Sequence, residues 1–242
     1  MGERTHASLL FQPRYQLADG GLVAIEAFAL RPRTALHGAR EPGRDLGRDE
    51  AMLRHAGRLI AHATLVSTPI LSLRVTEAQA ASGGLARLIA DMLAETGLPP
   101  SRLELEFSEA CLQTDEPELL YLLAALADLG VSAVLGGFGA HVSSLTLLRR
   151  RSLAGLLTGL KLHGLLVSDL DAGGADDAFL GGLVATAHAL GLLVIAEGVA
   201  CGSHETRLRD AGCDQALGPW LGGAQPALDA IRTWRLEQDR AS

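Results

Sequence analysis

The stretch Val134-Leu-Gly-Gly-Phe-Gly-Ala-His141 reads as a buried strand that runs into a glycine-rich turn and then a helix. The same alternation extends to either side of it. Short leucine-rich or β-branched runs recur at 70–75, 103–107, 131–135, 156–162 and 192–196. Between them lie segments at 50–65, 77–95, 116–129, 143–150, 176–190 and 203–211, each with apolar residues at i, i+3, i+4 and i+7. Near-continuous apolar strands alternating with amphipathic helices indicate a parallel sheet covered on both faces. About eight strands and as many helices fit the 242 residues. That length and alternation favour an α/β fold of the (β/α)8, TIM-like barrel type over an open doubly wound sheet. No G-x-G-x-x-G follows the first strand, which weakens a dinucleotide-binding alternative.

The beginning of the chain differs. Segments 9–17 and 22–30 flank Ala18-Asp-Gly-Gly21, which signals an N-terminal β-hairpin. Residues 31–49 are polar, rich in Arg, Gly and Pro, and lack periodicity, so a loop between strand and helix is expected there. A single domain with its core at about 8–235 accommodates all of this.

Composition excludes several functions. A net charge of -7 argues against a nucleic-acid polymer as partner, since that surface needs clustered basic residues. Aromatics at 4% are too sparse for stacking platforms on single strands. Cys111, Cys201 and Cys213 form no CxxC pair, so neither a disulfide framework nor a zinc ribbon is suggested. Reduced thiols, the lack of a signal-peptide pattern and the lack of a bilayer-length apolar run lead us to expect a cytoplasmic protein without membrane insertion.

Barrels of this type place their active sites at the C-terminal strand ends. Those ends carry Glu26, Arg74, Glu106 with Glu109, Gly136-Gly137, Lys161, Glu197 and Leu217. Several acids and a lysine would therefore converge on one mouth, where a divalent cation or the lysine must offset their repulsion. Taken singly, each acid is more simply a solvated strand-end residue. Zinc held by His141, His163 and these glutamates lacks any HxxxH or CxxC spacing, and isolated histidines mostly serve packing or surface roles. Backbone N–H groups of residues 137–140 could alternatively cradle an anion, although a turn here needs its glycines in any case.

The motifs in order resemble the EAL domain, the cyclic di-GMP phosphodiesterase module of bacterial signalling proteins. Phe11-Gln-Pro13 looks like the opening YQP, and Glu26-Ala-Phe28 stands where the name-giving EAL would be. Leu103-Glu-Leu-Glu-Phe-Ser-Glu109 is similar to LELEITE, and Gly136-Gly-Phe-Gly139 with Ser143-Ser-Leu145 to DDFGxGxSSL. Leu160-Lys-Leu162, Ala196-Glu-Gly-Val199 and Ala211-Gly-Cys-Asp214 are similar to LKID, AEGVE and LGCD. The resemblance implies a mouth holding two Mg²⁺ or Mn²⁺ ions, which activate a water to cut one phosphodiester of cyclic di-GMP. It implies that Glu26 and Glu106 are metal ligands, that Lys161 and Glu197 are catalytic, and that Gln12 and Glu109 serve ligand and loop.

The pattern breaks at several of the positions it needs. Arg74 stands for the asparagine ligand, and Gly136 and Gly137 for the two metal-binding aspartates. Leu30 stands for the ligand-contacting arginine, and Arg31 beside it would point to the opposite face. His163, Ala200 and Leu217 stand for the aspartate of KID, the last glutamate of EGVE and the glutamine of QGY. Two anionic ligands are lost and a permanent cation is added; unit charges about 4 Å apart interact by roughly 4 kcal/mol at an effective dielectric near 20. The expectation is a degenerate, inactive EAL domain with vestigial site residues and no metal cofactor. It would act as a regulatory module through a partner protein or by sensing cyclic di-GMP without metal. An active Mg²⁺- or Mn²⁺-dependent phosphodiesterase with a rearranged site is the alternative. Family members often pair through helices beside the fifth and sixth strand ends, so a homodimer is compatible with the resemblance.

Overall fold

The computed structural model describes residues 8–30, 46–63, 69–112, 117–140, 145–153, 155–168 and 174–241. It opens with the hairpin, β1 (Ser8–Gln16) and β2 (Leu22–Leu30), antiparallel from Ser8 opposite Leu30 inward. The turn closes as its residue types demand. Gly20 takes a left-handed φ of 74°, and the Gly21 N–H donates to Asp19 Oδ1 at 2.9 Å.

The strands that follow are β3 (Ile70–Arg74), β4 (Leu103–Ser108), β5 (Ser132–Phe138), β6 (Gly159–Leu162), β7 (Leu193–Ala196) and the two-residue β8 (Gln215–Ala216). From β2 to β8 each pairs in parallel with the next. β1 runs antiparallel between β8 and β2 and closes the cylinder, while β9 (Gln225–Pro226) adds a short pairing at Leu10 and Phe11. The expected barrel is therefore present, with one hairpin strand built into its wall.

Helices cover the outside: α1 (Leu46–Ala61), α2 (Glu77–Ala80), α3 (Leu85–Thr96), α4 (Glu109–Leu112), α5 (Pro117–Leu129), α6 (Leu145–Leu153), α7 (Gly164–Ser168), α8 (Gly174–Ala189), α9 (Gly202–Asp210) and α10 (Ala227–Ala241). Four sequence expectations need correction. The helix expected over 77–95 breaks at Ser82-Gly-Gly84, because Thr76 and Gln79 cap a single turn and Gly83 goes left-handed. The non-periodic segment ends early, since α1 begins at Leu46; residues 31–45, including Arg31, lie outside the described residues. The strand expected over 156–162 covers only its last four residues.

The fourth correction concerns the opening stretch. Gly136 and Gly137 are not a turn but lie within β5, where the register with β6 shifts between Leu135 and Phe138. Gly137 carries φ +75°, the glycine-favouring signature of a bulge. The chain turns only at Gly139, and His141 lies outside the described residues.

Inside and outside faces of the strands follow the period of two. The outward face of β1 puts Phe11 under α10, where its ring stacks on Trp234 at 6.3 Å. Trp234 is 1% exposed. The Trp234→Ala variant is expected to lose about 3–5 kcal/mol of unfolding free energy. Urea titration followed by circular dichroism measures this; a loss under 1 kcal/mol contradicts the packing role given to α10.

Candidate functional site

The inward residues of the first half of the barrel are polar, and those of the second half are largely apolar. Gln12 and Arg14 on β1, Glu26 on β2, Ser72 and Arg74 on β3, and Glu104 and Glu106 on β4 share the inward parity with Lys161 on β6. Opposite them Val134, Ile195 and Leu217 pack into a small apolar cluster. The barrel interior is thus half ionic network and half hydrocarbon plug.

The network has two levels. In the lower one, the Arg14 guanidinium donates through Nη1 and Nη2 to Glu104 Oε1 and Oε2 at 2.8 and 2.9 Å, and the Ser72 hydroxyl donates to Oε1 at 2.7 Å. Arg14 is wholly buried. Burial by itself would raise the Glu104 carboxyl, but the Arg14 charge and the three hydrogen bonds outweigh it and hold the group below the ordinary carboxylate range.

In the upper level, Lys161 is 1% exposed and donates from Nζ to Glu26 Oε1 at 2.5 Å and to Glu106 Oε2 at 2.8 Å. Arg74 approaches Glu106 from the mouth and donates from both Nε, at 2.9 Å, and Nη2, at 2.5 Å, to the other oxygen, Oε1. Both oxygens of Glu106 are therefore engaged by side-chain cations. Burial would lower the Lys161 ammonium, yet the charges of Glu26, Glu106 and Glu197 raise it, so it stays protonated. For Glu106, burial pushes upward, and Lys161 with Arg74 push further downward, so the group is held ionised. Glu26 goes the other way. Burial and the neighbouring Glu106 charge raise it beyond what Lys161 and Arg14 offset.

Glu197, just past β7, completes the mouth. Its Oε1 accepts from the Gly164 N–H at 3.3 Å and lies 3.7 Å from His163 Nε2. His163 Nδ1 accepts from the Leu165 N–H at 3.1 Å, which places the proton of the neutral ring on Nε2, facing Glu197. Glu197 Oε2 lies 3.8 Å from Lys161 Nζ and 3.9 Å from Arg74 Nη2. The structure thus joins Glu26, Arg74, Glu106, Lys161, His163 and Glu197 around one mouth.

The other expected positions lie around that mouth. Gln12 donates from Nε2 to the Gly222 carbonyl at 3.1 Å, tying β1 to the loop after β8. Glu109 opens α4 and is half-buried, Leu30 closes β2 opposite Ser8, and Ala200 is exposed in the loop after β7. Leu217 is 3% exposed in the apolar plug. At Gly136 a Cβ would fall 2.2 Å from Glu106 Oε1, so the Glu106 carboxyl fills the space that a residue-136 side chain would need.

Sequence reasoning missed the Arg14–Glu104–Ser72 level. Its signal was present in the parity of strand positions: Glu104 is two residues from Glu106, and Arg14 two from Gln12. A cavity of about 260 Å³, lined by Glu26, Ala27, Phe28, Ser72, Arg74 and Glu106, opens at this mouth. Among the described residues no group of three or more His, Cys, Asp or Glu is disposed to hold a metal ion, and no helix is long and apolar enough to cross a membrane.

Comparison with known proteins gives the same answer for family and fold. The EAL domain model matches residues 2–224. The cyclic di-GMP phosphodiesterase NbdA of Pseudomonas aeruginosa is 32% identical over 223 residues, covering 87% of this chain and 28% of that protein. An uncharacterized protein of Mycobacterium tuberculosis is 29% identical, covering 93% of this chain and 77% of its own length. Among solved structures, the MucR phosphodiesterase in complex with c-di-GMP superposes with a TM-score of 0.82 at 26% identity, covering 93% of this chain and 99% of that one. The FimX EAL domain from Pseudomonas aeruginosa, bound to c-di-GMP, gives 0.79 at 25%, with 94% of each chain covered.

The charge arrangement makes the two upper glutamates unequal. Glu106→Gln leaves Arg74 and Lys161 facing a neutral amide and is expected to cost about 3 kcal/mol of stability at pH 7. Because Glu106 is depressed below the ordinary carboxylate value of 4.5, its contribution is present above that pH and is lost as pH falls through the folded value, so the cost should shrink in acid. Glu26 is raised above 4.5, so the folded state gains from its protonation below that pH, and this gain is lost as pH rises through the folded value. Glu26→Gln should therefore cost about 1 kcal/mol or less at pH 7. Denaturant titrations of both variants between pH 3 and 7 measure the contrast; equal costs at pH 7 contradict it.

Proposed function

Since the chain belongs to the EAL domain family, we propose that it is a non-hydrolytic member. It works as a regulatory module of cyclic di-GMP signalling, through contact with a partner protein or by holding the nucleotide without metal. The observation that carries this reading is the Arg74 guanidinium on Glu106, beside two glycines at the positions of the family's paired aspartates.

The residues at the mouth do not fit a pair of divalent cations. Mg²⁺ and Mn²⁺ need several hard oxygen ligands with unshared lone pairs. Here both Glu106 oxygens accept from cations, Glu26 Oε1 accepts from Lys161, and Glu197 Oε1 accepts from a backbone N–H. Gly136 and Gly137 contribute no oxygen from their side chains. Arg74 is 61% exposed in its side chain, so water screens its repulsion of an incoming cation well below the few kcal/mol of a desolvated pair. The missing carboxylates therefore weigh more than the added charge.

Cyclic di-GMP as ligand is supported by the solved relatives that carry it, MucR and FimX, whose folds this chain shares along their length. A partner protein as the readout is supported by the changed positions Leu30 and Leu217, where the family contacts nucleotide or metal.

Incubation of the protein at high concentration with cyclic di-GMP in Mg²⁺ and in Mn²⁺, followed by chromatography, is expected to yield no linear dinucleotide. Turnover would overturn the reading in favour of an active phosphodiesterase with a rearranged metal site. The Gly136→Asp/Gly137→Asp double variant is also expected to stay inactive. Its first carboxylate meets Glu106 within 2.2 Å of the new Cβ, and its second must adopt a φ of +75°. Adding Arg74→Asn frees Glu106 to move, so the triple variant should bind Mn²⁺ more tightly than the double. Equal affinity of the two for Mn²⁺, read by calorimetry, would contradict the role given to Arg74.

A further inference from the structure

We propose that Arg74 is an anchor for a phosphodiester anion, so that the mouth takes up a cyclic dinucleotide through this guanidinium rather than through a metal ion. The proposal rests on the non-hydrolytic reading above and names the group that recognises the ligand.

The support is geometric. Arg74 is held in place by two hydrogen bonds to one oxygen of Glu106, through Nε and Nη2, while 61% of its side chain remains exposed. Among the described residues Nη1 makes no hydrogen bond, so two of its N–H groups are available to a ligand. A guanidinium already fixed by a carboxylate loses little side-chain entropy on binding, and its open Nη1 can donate charge-assisted hydrogen bonds to phosphodiester oxygens.

The other polar groups of the cavity are committed to partners. The Ser72 hydroxyl donates to Glu104, Glu26 accepts from Lys161, and Lys161 is buried beneath both glutamates. Arg74 alone, among the described lining residues, offers a cation with open donors to the 260 Å³ space. The cavity falls just under the usual size for a whole small-molecule site, and suits one phosphodiester with part of its sugar. Phe28, 37% exposed on the rim, gives an aromatic face against which the remainder of a nucleotide can lie. A bare inorganic ion would leave that face unused.

The carboxylates do not forbid an anion here, because their charge is largely compensated. Around the mouth, Glu26, Glu106 and Glu197 face Lys161 and Arg74.

The test is calorimetric titration of cyclic di-GMP into the whole chain in EDTA, for wild type, Arg74→Lys and Arg74→Gln, with hydrolysis in Mg²⁺ assayed separately. Wild type should bind in EDTA, Arg74→Gln should bind at least tenfold more weakly, and Arg74→Lys should lie between. Wild-type affinity should also fall as NaCl is raised. An undetectable wild-type titration in EDTA, or unchanged affinity in Arg74→Gln, overturns the proposal. If Arg74→Gln does not fold, the Arg74→Lys variant and the salt series decide: wild-type affinity in Arg74→Lys, or affinity independent of salt, counts against the anchor. Hydrolysis in Mg²⁺ would sink the non-hydrolytic reading, while the EDTA affinities still judge Arg74 on their own.

Discussion

Glu106 is a carboxylate inside a barrel, 4% exposed, and most of the mouth is arranged around the need to compensate it. An isolated buried carboxylate is too costly to persist ionised. Lys161 from across the barrel takes one oxygen and Arg74 from the adjacent strand takes the other. Their positions follow from strand register: Arg74 pairs with Glu106 directly, and Lys161 reaches inward from β6. Glu26 shares the Lys161 ammonium, yet burial and the neighbouring Glu106 charge raise its carboxyl above the ordinary range. Beneath them, Arg14 and Glu104 repeat the solution with a bidentate pair.

The opening glycines belong to the same constraint. Gly136 lacks the Cβ that would collide with Glu106, so the carboxylate and the glycine are two halves of one arrangement. A site that needed an aspartate at 136 would have to hold Glu106 elsewhere. Substitutions at 74, 106 and 136 are consequently coupled, and a change at one alters what the others tolerate.

Half of the interior carries no charge. Val134, Ile195 and Leu217 fill the side of the barrel where polar groups would find no partner. Leu217 is 3% exposed within that plug. Within the barrel the ionic network lies on the β1–β4 side with Lys161, while His163 and Glu197 join it at the mouth, and the cavity opens on the β1–β4 side.

The sequence by itself determined the barrel, because alternation of apolar runs and amphipathic segments is local and periodic, and so legible without coordinates. It also determined which residues reach the mouth, since strand-end position and parity decide that. The family motifs located Glu26, Glu106, Lys161 and Glu197 as well, by order along the chain. The C-terminal helix went unread although its sequence is amphipathic, and its large anchor, Trp234, packs on a residue over 200 positions away. Only the tertiary structure decided what the charges do. That Arg74 binds Glu106, that Lys161 is shared by two glutamates, and that Gly136 makes room for a carboxylate are facts of distance between strands. Residues 30 to 135 apart in the chain meet there, and Coulomb's law acts on that spacing, not on sequence separation.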